Sequence, residues 1–154
     1  TKNNEDVILV TKKGLSIRFN EEQVRKSGRN SMGVKSIDLV DDDIVVSSDL
    51  VVEDKYLLVI SENGYGKLTE IDKYRPQNRG GKGLLTYKIT NKTGDVASAA
   101  VVEKEDDVMI IANSGIIIRI LTEDISIQGR NTSGVKLMNL TDAKVVAVAN
   151  YIGD

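Results

Sequence analysis

Three short apolar runs punctuate the chain: VILV at 7–10, LLVI at 57–60 and VMII at 108–111. Each is rich in β-branched residues and reaches a turn signal within a few positions: Lys13-Gly14, Asn63-Gly64 and Ser114-Gly115. That combination predicts a strand running into a hairpin, with Asn63-Gly64 tolerant of positive φ at both residues. Beyond the first turn the pattern alternates, Leu15, Ile17 and Phe19 on one face and Ser16 and Arg18 on the other, as a half-buried strand should. Matching apolar positions then follow at Ile37/Leu39, Tyr87/Ile89 and Met138/Leu140, giving a third strand. A fourth follows the polar clusters VDDD, NKTGD and TDAK, and reads IVVSS, VASAA and VVAVA. Helix is confined to single turns, with 20–26, 70–74 and 121–125 as the places for them.

The spacing shows that these elements are copies of one unit. Gly14, Gly64 and Gly115 are each followed fifteen residues later by Arg29, Arg79 and Arg130, and four residues further by Gly33, Gly83 and Gly134. GRNSMGVK at 28–35 and GRNTSGVK at 129–136 are nearly one string, and QNRGGKGLL fills the same slot in the middle copy. Four strands in roughly 50 residues is the rhythm of a propeller-type blade. The expected fold is therefore all-β, with three four-stranded blades over about 5–53, 54–104 and 105–152 in one unit spanning 1–154. Closed propellers have about four to eight blades, so three imply part of a larger ring or an open array. A first residue of Thr rather than Met favours a segment of a longer protein.

Composition narrows the chemistry. With no Cys and no His, disulfides, Cys/His zinc sites, Ser-His-Asp triads and imidazole acid/base catalysis are excluded. No apolar run approaches the roughly 20 residues of a membrane-spanning helix. Aromatic residues are 4% of the chain and Trp is absent, which disfavours single-strand binding by base stacking, so the five tyrosines are read as packing residues. Asp41-Asp42-Asp43 could approach a divalent cation but reads as a solvated turn. No catalytic residue and no metal ligand is assigned.

The net charge of −2 hides a segregation. The windows 24–37, 74–87 and 125–138 contain Arg25, Lys26, Arg29, Lys35, Arg75, Arg79, Lys82, Arg130 and Lys136 and none of the chain's 23 acids, where even scatter would place about six. Because the windows occupy equivalent places in successive copies, their cations should line up along one edge. Gly80 and Gly81 add accessible backbone N–H groups, so an anion can approach main chain and cations together. The pattern fits a polyanion-binding rim.

The segment Gln77-Asn78-Arg79-Gly80-Gly81-Lys82-Gly83 resembles the signature box of the C-terminal DNA-wrapping domain in the A subunit of DNA gyrase, which reads Gln, two basic residues, two glycines, a basic residue and a glycine. Asn78 departs from that box, standing where the signature has a base. NGYGK at 63–67, GRNSMGVK and ISIQGRNTSGVKL at 125–137 resemble later repeats of the same domain. The resemblance implies half of a six-bladed β-pinwheel, whose blades exchange strands with their neighbours, most closely blades four to six. The box-like motif would then lie in the fifth blade rather than the first, where gyrases carry the essential one. It further implies a non-catalytic module that binds and bends double-stranded DNA to direct negative supercoiling. The expected partners are the rest of gyrase's A subunit together with its B subunit, in the bacterial cytoplasm at the nucleoid. ATP and Mg²⁺ are expected elsewhere in such an enzyme, with no cofactor in this segment. The C-terminal domain of topoisomerase IV and a propeller-type scaffold for acidic proteins are the alternatives.

Overall fold

The computed structural model describes residues 6–20, 43–52, 55–74, 83–140 and 142–151. Among them are eleven strands: β1 (Asp6–Thr11), β2 (Leu15–Asn20), β3 (Val45–Leu50), β4 (Tyr56–Ser61), β5 (Tyr65–Glu70), β6 (Leu84–Leu85), β7 (Val96–Val102), β8 (Asp107–Ala112), β9 (Ile117–Leu121), β10 (Val135–Lys136) and β11 (Val145–Tyr151). Single 3-10 turns at Ile71–Lys73 and Thr122–Asp124 fall within two of the three stretches expected to hold a turn of helix; most of the third, 20–26, lies outside the described residues.

The strands form three antiparallel sheets, ordered β3-β1-β2-β6, β7-β4-β5-β10 and β11-β8-β9. The four strands of one copy therefore do not make one sheet. The third is handed back to the preceding copy: Leu85 pairs with Leu15 and Leu84 with Ser16, while Val135 pairs with Gly66 and Lys136 with Tyr65. The ladder strand is also shorter and earlier than the apolar pattern suggests. Tyr87 and Met138 lie beyond it and are buried in the layers between sheets. Ile37 and Leu39 lie outside the described residues.

The hairpins differ from the Asn-Gly expectation as well. Among the described residues the only non-glycine with positive φ is Asp142, so Asn63 does not take the mirror-image turn. Each hairpin instead has a three-residue loop closed by a glycine, Gly14, Gly64 or Gly115, at φ 90, 90 and 94°. In the first two, the strand-end hydroxyl of Thr11 or Ser61 accepts the N–H of Leu15 or Tyr65. The partner strands β3, β7 and β11 all shift register opposite the hairpin end, at Val10/Thr11, Ile60/Ser61 and Val145/Ala147, a bulge repeated in each copy.

Two apolar layers join the sheets. Ile8, Val10, Leu57, Val59, Tyr74, Tyr87 and Val96 fill the first, and Leu58, Ile60, Leu68, Val102, Val108 and Ile110 the second. β4 contributes alternate residues to both layers, which is why its sequence is an unbroken apolar run rather than an alternation. On β2, Ser16 is buried too, and Arg18 Nε reaches Asp6 at 2.7 Å while Nη1 reaches the Tyr74 carbonyl at 2.9 Å. The face expected to meet water is thus partly covered. Backbone bonds stitch neighbouring copies, Val96 N–H to Lys12 O and Val145 N–H to Glu62 O. Asp43, the described member of the acidic triplet, is buried and caps the first hairpin by accepting from Lys13 and Ile44 N–H.

Candidate nucleic-acid interface

Of the residues assigned to the basic rim, Arg25, Lys26, Arg29, Lys35, Arg75, Arg79, Gly80, Gly81 and Lys82 lie outside the described residues, as do Gln77 and Asn78 of the box-like motif. Gly83, Arg130 and Lys136 lie within them. Gly83 and its counterpart Gly134 are left-handed, at φ 85 and 75°, immediately before the exchanged strands β6 and β10. The second glycine of the repeat is thus where the chain turns into the neighbouring sheet.

Arg130 sits at the apex of a loop, 129–134, docked against the second sheet. The approach begins at Leu68, whose N–H donates to Ser126 O and whose carbonyl accepts from Gln128 N–H. Arg130 Nη1 donates to the carbonyl of Leu85 at 2.9 Å, so the third copy's loop touches the second copy's exchanged strand. Ser133 donates to Lys88 O, Lys88 N–H to Thr132 O, and the Tyr87 hydroxyl to Ser133 O. Arg130 is half-exposed and Lys136 exposed, and no carboxylate pairs with either among the described residues.

The loop is held from beneath by a residue that charge counting passes over. Lys67, on β5, is fully buried. Its Nζ donates into a ring of oxygens: Gly129 O at 2.6 Å, Arg130 O at 2.8 Å, Thr132 Oγ1 at 2.9 Å and Thr132 O at 3.1 Å. The Tyr87 ring lies 5.4 Å away and adds a cation–π contact. The signal was present in the repeat: three residues past the turn glycine, the first and third copies carry Ile17 and Ile118, and only the middle copy carries a lysine. A charge in an apolar column needs a polar cage in the fold.

Burial, and behind it the positive charge of Arg130, brings the pKa of Lys67 from 10.5 down to about 7. Between about 7 and 10.5 the unfolded chain keeps this proton and the folded chain releases it. The unfolded state then binds more protons, so stability rises with pH across that window. The unfolding midpoint of the native chain, measured against Lys67→Met, is expected to climb from pH 7 towards 10 and to be flat below. A flat difference throughout would show that Lys67 titrates normally. Burial also raises Tyr87 to about 12 and raises Tyr74, so tyrosine ionisation opposes folding above pH 10.

The chain matches the family described as the DNA gyrase C-terminal domain, a β-propeller, over residues 5–51, 55–103 and 106–150. It is 51% identical over 155 residues to the A subunit of DNA gyrase from Clostridium acetobutylicum, covering 100% of this chain and 19% of the relative. With the same subunit of Ureaplasma parvum it shares 44% over 146 residues, covering 95% and 17%. It therefore spans about a fifth of the length of these relatives. Among solved structures, the C-terminal domain of DNA topoisomerase IV superposes with a TM-score of 0.84 at 18% identity, over 97% of this chain and 47% of that one. The DNA gyrase A C-terminal domain gives 0.64 at 24%, over 98% and 67%. At these identities the structural likenesses speak for the fold, while the family match covers nearly the whole chain: it belongs to the DNA gyrase C-terminal domain family of β-propellers.

Proposed function

We propose that this chain is a non-catalytic module that binds and bends duplex DNA along a basic edge, within the A subunit of a bacterial DNA gyrase. The observation that carries the reading is the recurrence of three acid-free basic windows in register, the described part of which, Arg130 and Lys136, faces outward without a carboxylate partner among the described residues. Family membership supplies the context. The close sequence relatives are gyrase A subunits, which favours gyrase over topoisomerase IV.

The mechanism is electrostatic. Arg and Lys neutralise backbone phosphates, and release of condensed counterions supplies the affinity without sequence preference. Arg25, Lys26, Arg29, Lys35, Arg75, Arg79 and Lys82 complete the rim in this reading. If roughly five to eight phosphates are engaged, log K falls against log salt with a slope of about −5 to −7. Bending 20–30 bp costs on the order of 1–6 kcal/mol, which contacts spread over successive blades offset. In the parent enzyme the bend presents a DNA segment to the breakage gate and so directs negative supercoiling. The partners there are the B subunit of gyrase and the remainder of its A subunit. ATP and Mg²⁺ act in those other parts, and the setting is the cytoplasm at the nucleoid.

The test is salt-dependent binding to duplexes of increasing length. Affinity is expected to rise with length, and Arg130→Ala is expected to lower the magnitude of the slope by about one. Length-independent binding, or saturable binding to an acidic protein in its place, would overturn the reading in favour of a protein scaffold.

A further inference from the structure

At the seam between the second sheet and the third copy lies a shallow cleft of about 210 Å³, with Asn63, Tyr65, Lys92, Lys136, Asn139 and Leu140 in its lining. Lys92 Nζ stands 5.7 Å and Lys136 Nζ 5.8 Å from the centroid of the Tyr65 ring. Both ammonium groups thus lie within reach of one aromatic ring and of one cleft. No carboxylate lines the cleft, and neither lysine has an ion-pair partner among the described residues.

The two lysines are carried on well-fixed backbone. Lys136 is in β10, directly opposite Tyr65 in the ladder. Lys92 is in the turn at 91–94, which Thr90 and Thr93 close on themselves: Thr90 N–H donates to Thr93 Oγ1, Thr93 N–H to Thr90 Oγ1 and Gly94 N–H to Thr90 O. Asn63 ties that turn to the hairpin, its side-chain amide donating to Lys92 O and its N–H to Thr93 O. The Tyr65 ring lies within cation–π distance of both long side chains, and both line the cleft.

Such an arrangement is complementary to an oxyanion. Two ammonium donors line the cleft, Asn139 adds a neutral polar group, and the fixed turn lowers the entropy lost on binding. The site is particular to this seam: the positions equivalent to Lys92 are Asp42 and Ala143 in the other copies. It also lies partly outside the three basic windows, because Lys92 falls beyond residue 87.

We propose that Lys92, Tyr65 and Lys136 form a phosphate notch that seats one backbone phosphodiester of the bound duplex. This rests on the DNA-binding reading and adds to it a contact that the repeat pattern does not contain. The notch fixes the path of the duplex between the second and third blades, since a phosphate held there cannot slide along the rim.

The test compares the native chain with Lys92→Gln, Tyr65→Leu and a control, Lys104→Gln, which removes a lysine whose ammonium lies 5.8 Å from the Tyr56 ring, away from the cleft. With duplex DNA, Lys92→Gln is expected to weaken binding on the order of five- to tenfold and to reduce the magnitude of the salt slope by about one. Tyr65→Leu keeps both charges but releases them, so affinity falls while the slope stays. Lys104→Gln changes neither. If the native chain binds duplex but Lys92→Gln matches it in affinity and slope, the notch is overturned and the rim reading stands. If the native chain fails to bind duplex, the DNA reading falls first. A titration with inorganic phosphate, followed by the Tyr65 ring resonances, separates the sources of the anion. Shifts with both phosphate and duplex support the notch, shifts with phosphate alone make it a free-anion site and overturn its role on DNA, and no shift with either overturns it outright.

Discussion

Lys67→Met is expected to lower the unfolding free energy by about 2 kcal/mol near pH 10, where the native amine is neutral in the fold, and to release the loop that carries Arg130. Methionine fills nearly the same volume, so little of the loss comes from a cavity. What is lost is the donor. Gly129 O keeps the Thr132 hydroxyl, and Thr132 O keeps Lys88 N–H, but the Arg130 carbonyl has no other donor among the described residues. An acceptor that loses its donor costs about 1–3 kcal/mol, and near pH 6 relief from burying the ammonium offsets that loss. The loss should show in the urea midpoint at unchanged m-value. Amide exchange should quicken at Lys88, whose N–H is bonded to Thr132 O. A midpoint within about 0.3 kcal/mol of native, with Lys88 still protected, would mean that the oxygen ring does not hold the loop.

The second large effect sets identical residues against each other. Gly14, Gly64 and Gly115 occupy the same place in three copies of one hairpin and share nearly the same φ. An alanine at any of them meets the left-handed penalty of about 1–2 kcal/mol. A Cβ at Gly115 would touch nothing within 4 Å, whereas one at Gly14 would lie 2.5 Å from Tyr87 O and one at Gly64 2.7 Å from Met138 O. Those carbonyls belong to the chain just past the exchanged strands, and Gly14 O and Gly64 O accept Thr86 and Leu137 N–H at 2.8 Å. Gly64→Ala and Gly14→Ala must therefore push the donated segment away, for a total of about 3–5 kcal/mol, against about 1–2 for Gly115→Ala. Thermal unfolding of the three variants checks this. Equal losses would show that the hairpin turn alone sets the requirement for glycine.

The glycines also show how far the sequence could be read. Spacing alone identifies them as equivalent, and a hairpin turn is the economical explanation for each. That explanation is complete only for Gly115. For the other two, the contact that matters comes from residues 73–74 positions later in the chain, which no local pattern can place. The third strand illustrates the same limit. Its apolar residues were legible at Tyr87 and Met138, but hydrophobicity reports that a side chain is buried, not which sheet its backbone joins. Lys67 and Lys92 were missed for opposite reasons. One is a cation inside the protein, where counting surface charge gives it no role, and the other lies in a turn whose counterparts are Asp42 and Ala143.

The repeat, the all-β class, the strand-and-turn rhythm and the segregation of charge are legible in the residues alone, because each is a local property of composition and period. Packing between copies, in contrast, set which strand is exchanged and where it pairs, placed the buried lysine under the Arg130 loop, and brought Lys92 and Lys136 to Tyr65. All three depend on which distant backbone atoms come within hydrogen-bonding or cation–π distance. Those distances are set by how the blades pack against one another, and packing between copies is not written in the period of any one copy.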